Sequence, residues 1–182
     1  MAEPLRLLTE EMPTPIGDLV VVSDEAGHLR AVDWVEDMAG MERLLSRHYG
    51  AGGFVLRPAP GRTAHREALE AYFAGDLHAI DDLPTATGGS PFQRQVWQAL
   101  RRIPCGETIS YATLARRIGR PAAVRAVGLA NGANPIAIVV PCHRVIGADG
   151  SLTGYGGGLP RKRWLLAHES WRGTAPELPL GD

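Results

Sequence analysis

A polar segment rich in glycine and proline divides this chain of 182 residues. The segment, residues 81–89, reads DDLPTATGG and lies between stretches that each have their own hydrophobic periodicity. Segments of this composition connect domains, and a chain of this length forms one domain or two small ones. The sequence therefore predicts domains over residues 1–88 and 89–172, followed by a flexible tail over 173–182.

The two parts have opposite charge. Residues 1–89 hold seven arginines and fifteen carboxylates, a net charge of −8, whereas residues 90–172 hold twelve basic and three acidic residues, a net charge of +9. The formal net charge of the whole chain is only −1 because these contributions nearly cancel. A strongly basic domain favours a polyanionic partner such as nucleic acid. A solvated arginine-rich surface explains the same composition, so charge alone leaves both interpretations open.

No feature of the sequence indicates a membrane or a secreted protein. The chain lacks an apolar run near the ~20 residues that span a bilayer, and its N-terminus, MAEPLRLLTEEMP, lacks a basic head and an apolar signal core. A cytoplasmic protein without a membrane partner is therefore expected. Its two cysteines form no CxxC pair, so reduced thiols are expected. Because no Cys/His cluster has zinc-ligand spacing, no metal site is expected.

The N-terminal part predicts a small α/β unit. Two β-rich runs, 16–23 and 29–36, flank Asp24-Glu25-Ala26-Gly27, which is typical of a hairpin turn. Helices are predicted over 38–49 and 63–73 from the spacing of apolar residues.

The C-terminal part predicts helices. One starts at Ser90-Pro91 and continues to Pro104, and a final one covers 160–168. Between them, Ser110 can cap a short helix that ends at Gly119, and residues 121–128 can form another. Two short helices joined by Gly119-Arg120-Pro121 have the form of a helix-turn-helix. Simple helix packing gives the same pattern, although the positive charge favours DNA contact.

Cys142 has the neighbours of a reactive cysteine. It follows the apolar run 136–140 and precedes His143 and Arg144. An adjacent imidazole or cation lowers the pKa of a thiol and increases its thiolate fraction. A buried structural cysteine is the alternative. Cys105 has no histidine nearby and is predicted to be structural.

The glycine-rich loop 152–158, LTGYGGG, matches no phosphate-binding pattern and predicts no nucleotide cofactor.

A series of motifs runs through residues 90–169 in a fixed order. It comprises RAVGLANG at 125–132, NPIAIVV at 134–140, PCHRV at 141–145, GYGGG at 154–158 and WLLAHE at 164–169. This series resembles the O6-alkylguanine-DNA alkyltransferases, and the first half resembles their bacterial constitutive form more weakly. The resemblance implies an α+β fold: an N-terminal α/β ribonuclease H-like domain and a C-terminal helical, winged-helix-like domain with a helix-turn-helix.

The chemistry implied by this resemblance is direct reversal of DNA alkylation without a cofactor. An alkyl group on guanine O6, or less generally on thymine O4, moves irreversibly to Cys142. His143 is implied to draw the thiol proton through a water, and Glu169 to orient His143. Asn134 is implied to hold the turn that presents Cys142. Tyr111 is implied to donate a hydrogen bond to the damaged base and to help displace its phosphate.

The implied partner is double-stranded DNA, bound through the minor groove. Arg125, on the second helix of the helix-turn-helix, is implied to support flipping of the damaged base. Ala123, Ala126 and Gly128 are small enough to let that helix approach a narrow groove. Relatives commonly have alanine where this chain has Val124, which is expected to alter the fit slightly.

The base pocket is implied to use backbone groups. Those of Cys142 and Val145 would read the amino edge of the base, and Tyr155 with the Gly156 amide would close the pocket. The structural zinc of some relatives is not implied, because the first half contains no cysteine. A monomer is implied, with cooperative binding along DNA left open. A damage sensor without catalysis and a Cys-His hydrolase are the alternative functions; the presence of Cys142 argues against the sensor.

Overall fold

The computed structural model describes residues 2–170, which form two compact units. The first comprises the described residues up to Gly89 together with Pro135–Val139, and the second comprises Ser90–Asn134 and the described chain from Val140 onward. The tail predicted over 173–182 lies outside the described residues. Within residues 2–170, none of the helices has the length and apolar character needed to cross a membrane.

A four-stranded sheet forms the centre of the first unit. Its strands are β1 (Leu5–Met12), β2 (Leu19–Asp24), β3 (Leu29–Trp34) and β4 (Phe54–Pro58), in the order β3-β2-β1-β4. β2 pairs antiparallel with β1 and β3, and β4 pairs parallel with β1. The helices are α1 (Met38–Tyr49) and α2 (Ala64–Phe73). The core joins the sheet to α1 through Leu7, Val20, Val22, Ala31, Met41 and Leu45.

The predicted hairpin and both predicted helices of this unit are confirmed, but the prediction omitted β1 and β4. Only two residues of β1, Leu7 and Met12, are buried, so the strand lacks a regular apolar alternation. β4 has five residues, of which none is fully buried. The first predicted strand also begins three residues later than expected, because Thr14 and Gly17 form a turn through reciprocal backbone hydrogen bonds.

Two irregular segments pair with β3 within the first unit. Leu29 hydrogen-bonds to the segment 84–86 and Val32 to the segment 135–137, through backbone bonds of 2.8–3.0 Å. The predicted interdomain segment is therefore partly tied to the sheet. The apolar run after Pro135 is buried, as expected: Ile136 and Ile138 are both 0% exposed.

The second unit is helical. It contains α3 (Pro91–Leu100), α4 (Tyr111–Arg117), α5 (Val124–Gly132) and α6 (Leu159–Ser170), with a short parallel pair of β5 (Ile109–Ser110) and β6 (Val145–Ile146). The predicted caps are confirmed. Ser90 and Gln93 form a capping box at α3, and the Ser110 hydroxyl accepts a hydrogen bond from the Thr113 amide at α4.

The second helix of the helix-turn-helix differs from its predicted position. It covers Val124–Gly132 rather than 121–128. Pro121 lies in a turn closed by a hydrogen bond from the Ala123 amide to the Arg120 carbonyl, so the helix starts only after this turn. Its buried residues, Val127, Ala130 and Asn131, extend the apolar face beyond Gly128. The α+β fold, with an N-terminal sheet and a C-terminal helical part, is otherwise as predicted.

Candidate active site

Cys142 lies in a tight turn, residues 141–145, which we call the cysteine turn. Cys142–Arg144 form one turn of 3-10 helix, and the Cys142 amide donates a hydrogen bond of 2.8 Å to the Val140 carbonyl. The cysteine side chain is buried but retains 9% exposure, whereas His143 is fully enclosed. The turn therefore leaves Cys142 slightly accessible as a residue and encloses its neighbour His143.

Two asparagine side chains brace this turn from its N-terminal side. Nδ2 of Asn134 donates to the Val140 carbonyl at 2.8 Å, which places Asn134 where a turn-holding role requires it. Nδ2 of Asn131, on α5, donates a longer bond of 3.4 Å to the Cys142 carbonyl. The prediction omitted Asn131; a buried asparagine among the small and apolar residues of α5 was the available signal.

The buried carboxylate of Glu169 joins His143 and Arg144. Nε2 of His143 lies 2.7 Å from Oε1 of Glu169. Arg144 donates two hydrogen bonds of 2.9 Å to the same carboxylate and one of 2.7 Å to the Ile103 carbonyl. Arg144 and Glu169 are 5% and 1% exposed. The paired charges of Glu169 and Arg144, together with the hydrogen bond to His143, therefore hold α6 against the cysteine turn.

This cluster keeps Glu169 ionised. Burial alone would raise the pKa of its carboxyl, but the charge and hydrogen bond of His143 and those of Arg144 hold the pKa well below its usual range. An ionised carboxylate can only accept hydrogen bonds, so it orients the imidazole through a donated N–H. The family resemblance implies the pairing of His143 with Glu169 but not the contribution of Arg144, although PCHRV contains it.

A second buried cation lies on the other side of the cysteine turn. The side chain of Lys162 on α6 is 0% exposed, and its Nζ donates hydrogen bonds to the carbonyls of Val145 at 2.7 Å and Thr153 at 2.9 Å. Burial lowers the pKa of Lys162, and the nearby Cys142 thiolate opposes this shift. The prediction omitted this residue, because a lysine between two arginines is typical of a solvated helix face.

Tyr111, the first residue of α4, lies beside the glycine-rich loop. Its hydroxyl is 2.9 Å from Oγ1 of Thr153. On α5, Gly128 faces its ring: a Cβ at this position would lie 3.8 Å from Cδ1 of Tyr111. In the loop itself, Tyr155 is half-buried and Gly156 is exposed.

α5 has a buried face toward the cysteine turn and an exposed face. Arg125 and Ala126 are exposed, Ala123 is half-buried, and Arg125 forms no hydrogen bond or ion pair with any residue from 2 to 170. Leu129, one turn after Arg125, is 72% exposed, and Val124 is 36% exposed. The exposed face of α5 therefore carries one arginine among small and apolar residues.

Comparisons with known proteins agree with this arrangement. Residues 7–87 match the model described as "6-O-methylguanine DNA methyltransferase, ribonuclease-like domain", and residues 91–171 match the DNA binding domain of the same family. A methylated-DNA--protein-cysteine methyltransferase of Salmonella typhimurium is 57% identical over 92% of this chain and 98% of its own length.

Solved structures give the same result. The Mycobacterium tuberculosis O6-methylguanine methyltransferase superposes with a TM-score of 0.76 at 42% identity, over 93% of this chain and 96% of that one. Mycobacterium tuberculosis OGT in complex with DNA superposes with a TM-score of 0.73 at 42% identity, over 91% of this chain and 93% of that one. This chain therefore belongs to the 6-O-methylguanine DNA methyltransferase family.

Proposed function

We propose that this protein repairs alkylated DNA by a single transfer of the alkyl group from guanine O6 to the sulfur of its own Cys142. The observation that carries the proposal is the series Cys142, His143 and Glu169: a slightly exposed thiol, a buried imidazole and an ionised carboxylate paired with it. A nucleophile next to an oriented base is the arrangement that activates a thiol. Relatives named methylated-DNA--protein-cysteine methyltransferases support the same reaction.

The hydrogen bond between His143 and Glu169 determines which ring nitrogen of His143 acts as the base. Because Glu169 is ionised and can only accept, Nε2 of His143 carries the ring proton and donates a hydrogen bond to the carboxylate. In the neutral ring, Nδ1 is then the acceptor; it is buried and has no hydrogen-bond partner among residues 2–170. Nδ1 takes the thiol proton of Cys142 through a water, and Glu169 stabilises the imidazolium that forms.

The transfer step is a displacement at the alkyl carbon. The Cys142 sulfur forms a bond to that carbon as the bond from carbon to O6 breaks, and the electron pair passes to guanine. The guanine anion takes up one proton from solvent and the imidazolium of His143 returns the thiol proton to solvent, so no net proton is gained or lost. Tyr111 donates a hydrogen bond to the departing base and helps displace its phosphate, with its hydroxyl held beside Thr153. The thioether product leaves no thiol, so each chain reacts once. An alkyl group on thymine O4 can be transferred to Cys142 in the same way.

DNA is bound in the minor groove through the exposed face of α5, and the damaged base is flipped toward Cys142. Arg125 takes the space of the flipped base, and the small residues Ala123 and Ala126 permit close approach. Backbone groups of Cys142 and Val145 read the base. Tyr155 and the Gly156 amide close the pocket from the loop. The protein acts as a cytoplasmic monomer.

The number of alkyl groups accepted per chain tests this function. With DNA containing O6-methylguanine in excess, methyl transfer is expected to stop at one group per protein molecule, because no step regenerates the thiol. The measurement is the amount of methyl label transferred to protein as the protein concentration is varied. Repeated turnover would favour a Cys-His hydrolase instead, and binding without transfer would favour a damage sensor.

Replacing Arg125 by alanine should separate base flipping from chemistry. We expect repair of duplex DNA to slow by about 10²-fold, because unstacking a base costs a few kcal/mol that the arginine no longer offsets. Reaction with free O6-benzylguanine, which needs no flipping, should keep its wild-type rate. Single-turnover rates measure both reactions, the one with duplex DNA at a saturating DNA concentration. Arg117→Ala, which removes an exposed arginine from α4, is the matched control for charge. Equal losses on duplex and free base would refute the flipping role.

A further inference from the structure

Lys162 is the only lysine among the nineteen lysine and arginine residues of the chain. It is also completely buried, with an exposure of 0%. Lysine is rarely buried to this extent, and its long side chain normally places the ammonium group in water. Eighteen arginines occupy the other basic positions. The lysine at this one enclosed position therefore places a single positive charge inside the second unit, where the other basic side chains of α6 are not fully buried.

The ammonium group of Lys162 joins the two backbone segments proposed to form the base pocket. The Val145 carbonyl, 2.7 Å from Nζ, ends the cysteine turn, and the Thr153 carbonyl, 2.9 Å from Nζ, starts the glycine-rich loop. The Thr153 side chain in turn contacts the Tyr111 hydroxyl at 2.9 Å. One buried cation thus sets the separation between the turn that holds the thiol and the loop that carries Tyr155.

Among residues 2–170, Nζ of Lys162 is hydrogen-bonded to neutral carbonyls and to no carboxylate, so no anion in this part of the chain pairs with it while the thiol is protonated. The carboxylate of Glu169 on the same helix is already paired with His143 and Arg144. The anion whose charge favours the charged form of Lys162 is the Cys142 thiolate. Because attraction between two charges is mutual, the cation must favour ionisation of that thiol to the same degree.

We propose that Lys162 is a positioning residue for alkyl transfer: its buried ammonium group holds the cysteine turn against the glycine-rich loop and stabilises the Cys142 thiolate. This inference rests on the proposed role of Cys142 as acceptor. Among residues 2–170, the charged or titratable groups whose printed contacts place them at the turn or the loop are His143 and Arg144 on the turn itself, Glu169 on α6 and Tyr111 on α4. In α3, which also packs against the turn, the buried residues are Val96, Trp97, Ala99 and Leu100, none of them charged.

The first test compares Lys162→Met with Lys162→Arg. Iodoacetamide alkylates a thiolate without using the base pocket, so its rate against pH reports the ionisation of Cys142. For Lys162→Met we expect a rate about tenfold lower near pH 7, with the deficit closing as the pH rises, which corresponds to a shift of one pKa unit. Lys162→Arg, which keeps the charge, should restore most of this rate. All the proteins compared also carry Cys105→Ser, so that Cys142 is the one thiol that can react. Intact-mass spectrometry follows the reaction.

A second test needs no change at position 162. Because the chain has a single lysine, selective ¹³C labelling at the lysine ε-carbon gives one signal, whose shift against pH reports the ionisation of Lys162. Capping Cys142 with iodoacetamide removes the thiolate, so the midpoint of the titration should move to lower pH. Arg43→Lys adds an exposed reference lysine on α1, and the midpoint of that signal should not move.

An unchanged pH profile in Lys162→Met would overturn this inference, and so would an unmoved Lys162 midpoint after capping. Loss of rate at all pH values by one factor would assign Lys162 a purely structural role and would also contradict it. Failure of the proposed function is distinguishable, because methylated DNA would then leave Cys142 unmodified while both iodoacetamide measurements still report on Lys162.

Discussion

Replacing Cys142 by serine is expected to abolish alkyl transfer while preserving the fold and the binding of methylated DNA. The serine hydroxyl is hardly ionised near neutral pH, whereas the reactive form of cysteine is the thiolate. The two side chains have the same shape, and the bonds from Asn131 and Asn134 hold the turn through backbone carbonyls. We expect the rate to fall by at least about 10⁴-fold, as when a hydrolase loses its nucleophile.

The measurement is the loss of labelled methyl groups from duplex DNA, with binding followed separately on the same duplex. Cys105→Ser is the matched control, because it makes the same chemical change at the other cysteine, which is half-buried. This control should retain full transfer. If Cys142→Ser still removed methyl groups, or if Cys105→Ser lost the activity, Cys142 would not be the acceptor of the methyl group.

Replacing Glu169 by glutamine should give the second largest loss. The neutral amide no longer stabilises the imidazolium of His143, and general acid–base catalysis of this kind contributes about 10²- to 10⁴-fold. The same change leaves Arg144 buried without its counterion, which costs about 3–5 kcal/mol of folding stability. We therefore expect both a slower transfer, measured in single-turnover experiments, and a lower thermal unfolding midpoint.

A double variant separates these two effects. Glu169→Gln combined with Arg144→Met removes the unpaired charge, and replacing a buried ion pair by neutral groups of similar volume is often nearly neutral for stability. Stability should largely return, whereas alkyl transfer should stay slow, because His143 still lacks its carboxylate. If transfer recovered together with stability, Glu169 would be only a structural residue.

The sequence predicts helices and caps better than it predicts the sheet. The helix starts at Ser90 and Ser110 are confirmed. They could be predicted because each depends on a local interaction, in which the serine side chain caps the helix that follows it. β1 and β4 were missed because their pairing partners are distant in the chain: Leu5 pairs with Phe54 in a parallel register. α5 was misplaced because the turn around Pro121 depends on a hydrogen bond from Ala123.

The sequence also predicts the polar residues of the site that lie within motifs. PCHRV and WLLAHE indicate Cys142, His143 and Glu169, and the structure brings the last two within 2.7 Å. The prediction omits Asn131 and Lys162 for a different reason: their hydrogen bonds depend on burial and on backbone carbonyls supplied by other segments of the chain. An exposed lysine and a buried one look the same in a sequence, so only the fold identifies Lys162 as part of the site.

The most direct test of the central claim is a peptide map of the protein after reaction with duplex DNA containing O6-methylguanine. Mass spectrometry should find one added methyl group, +14 Da as expected for CH₂, on the peptide that contains Cys142 and none on the peptide that contains Cys105. The modification should be absent in Cys142→Ser. Methyl transfer to Cys105 or to another residue, or repaired DNA with an unmodified protein, would contradict the account.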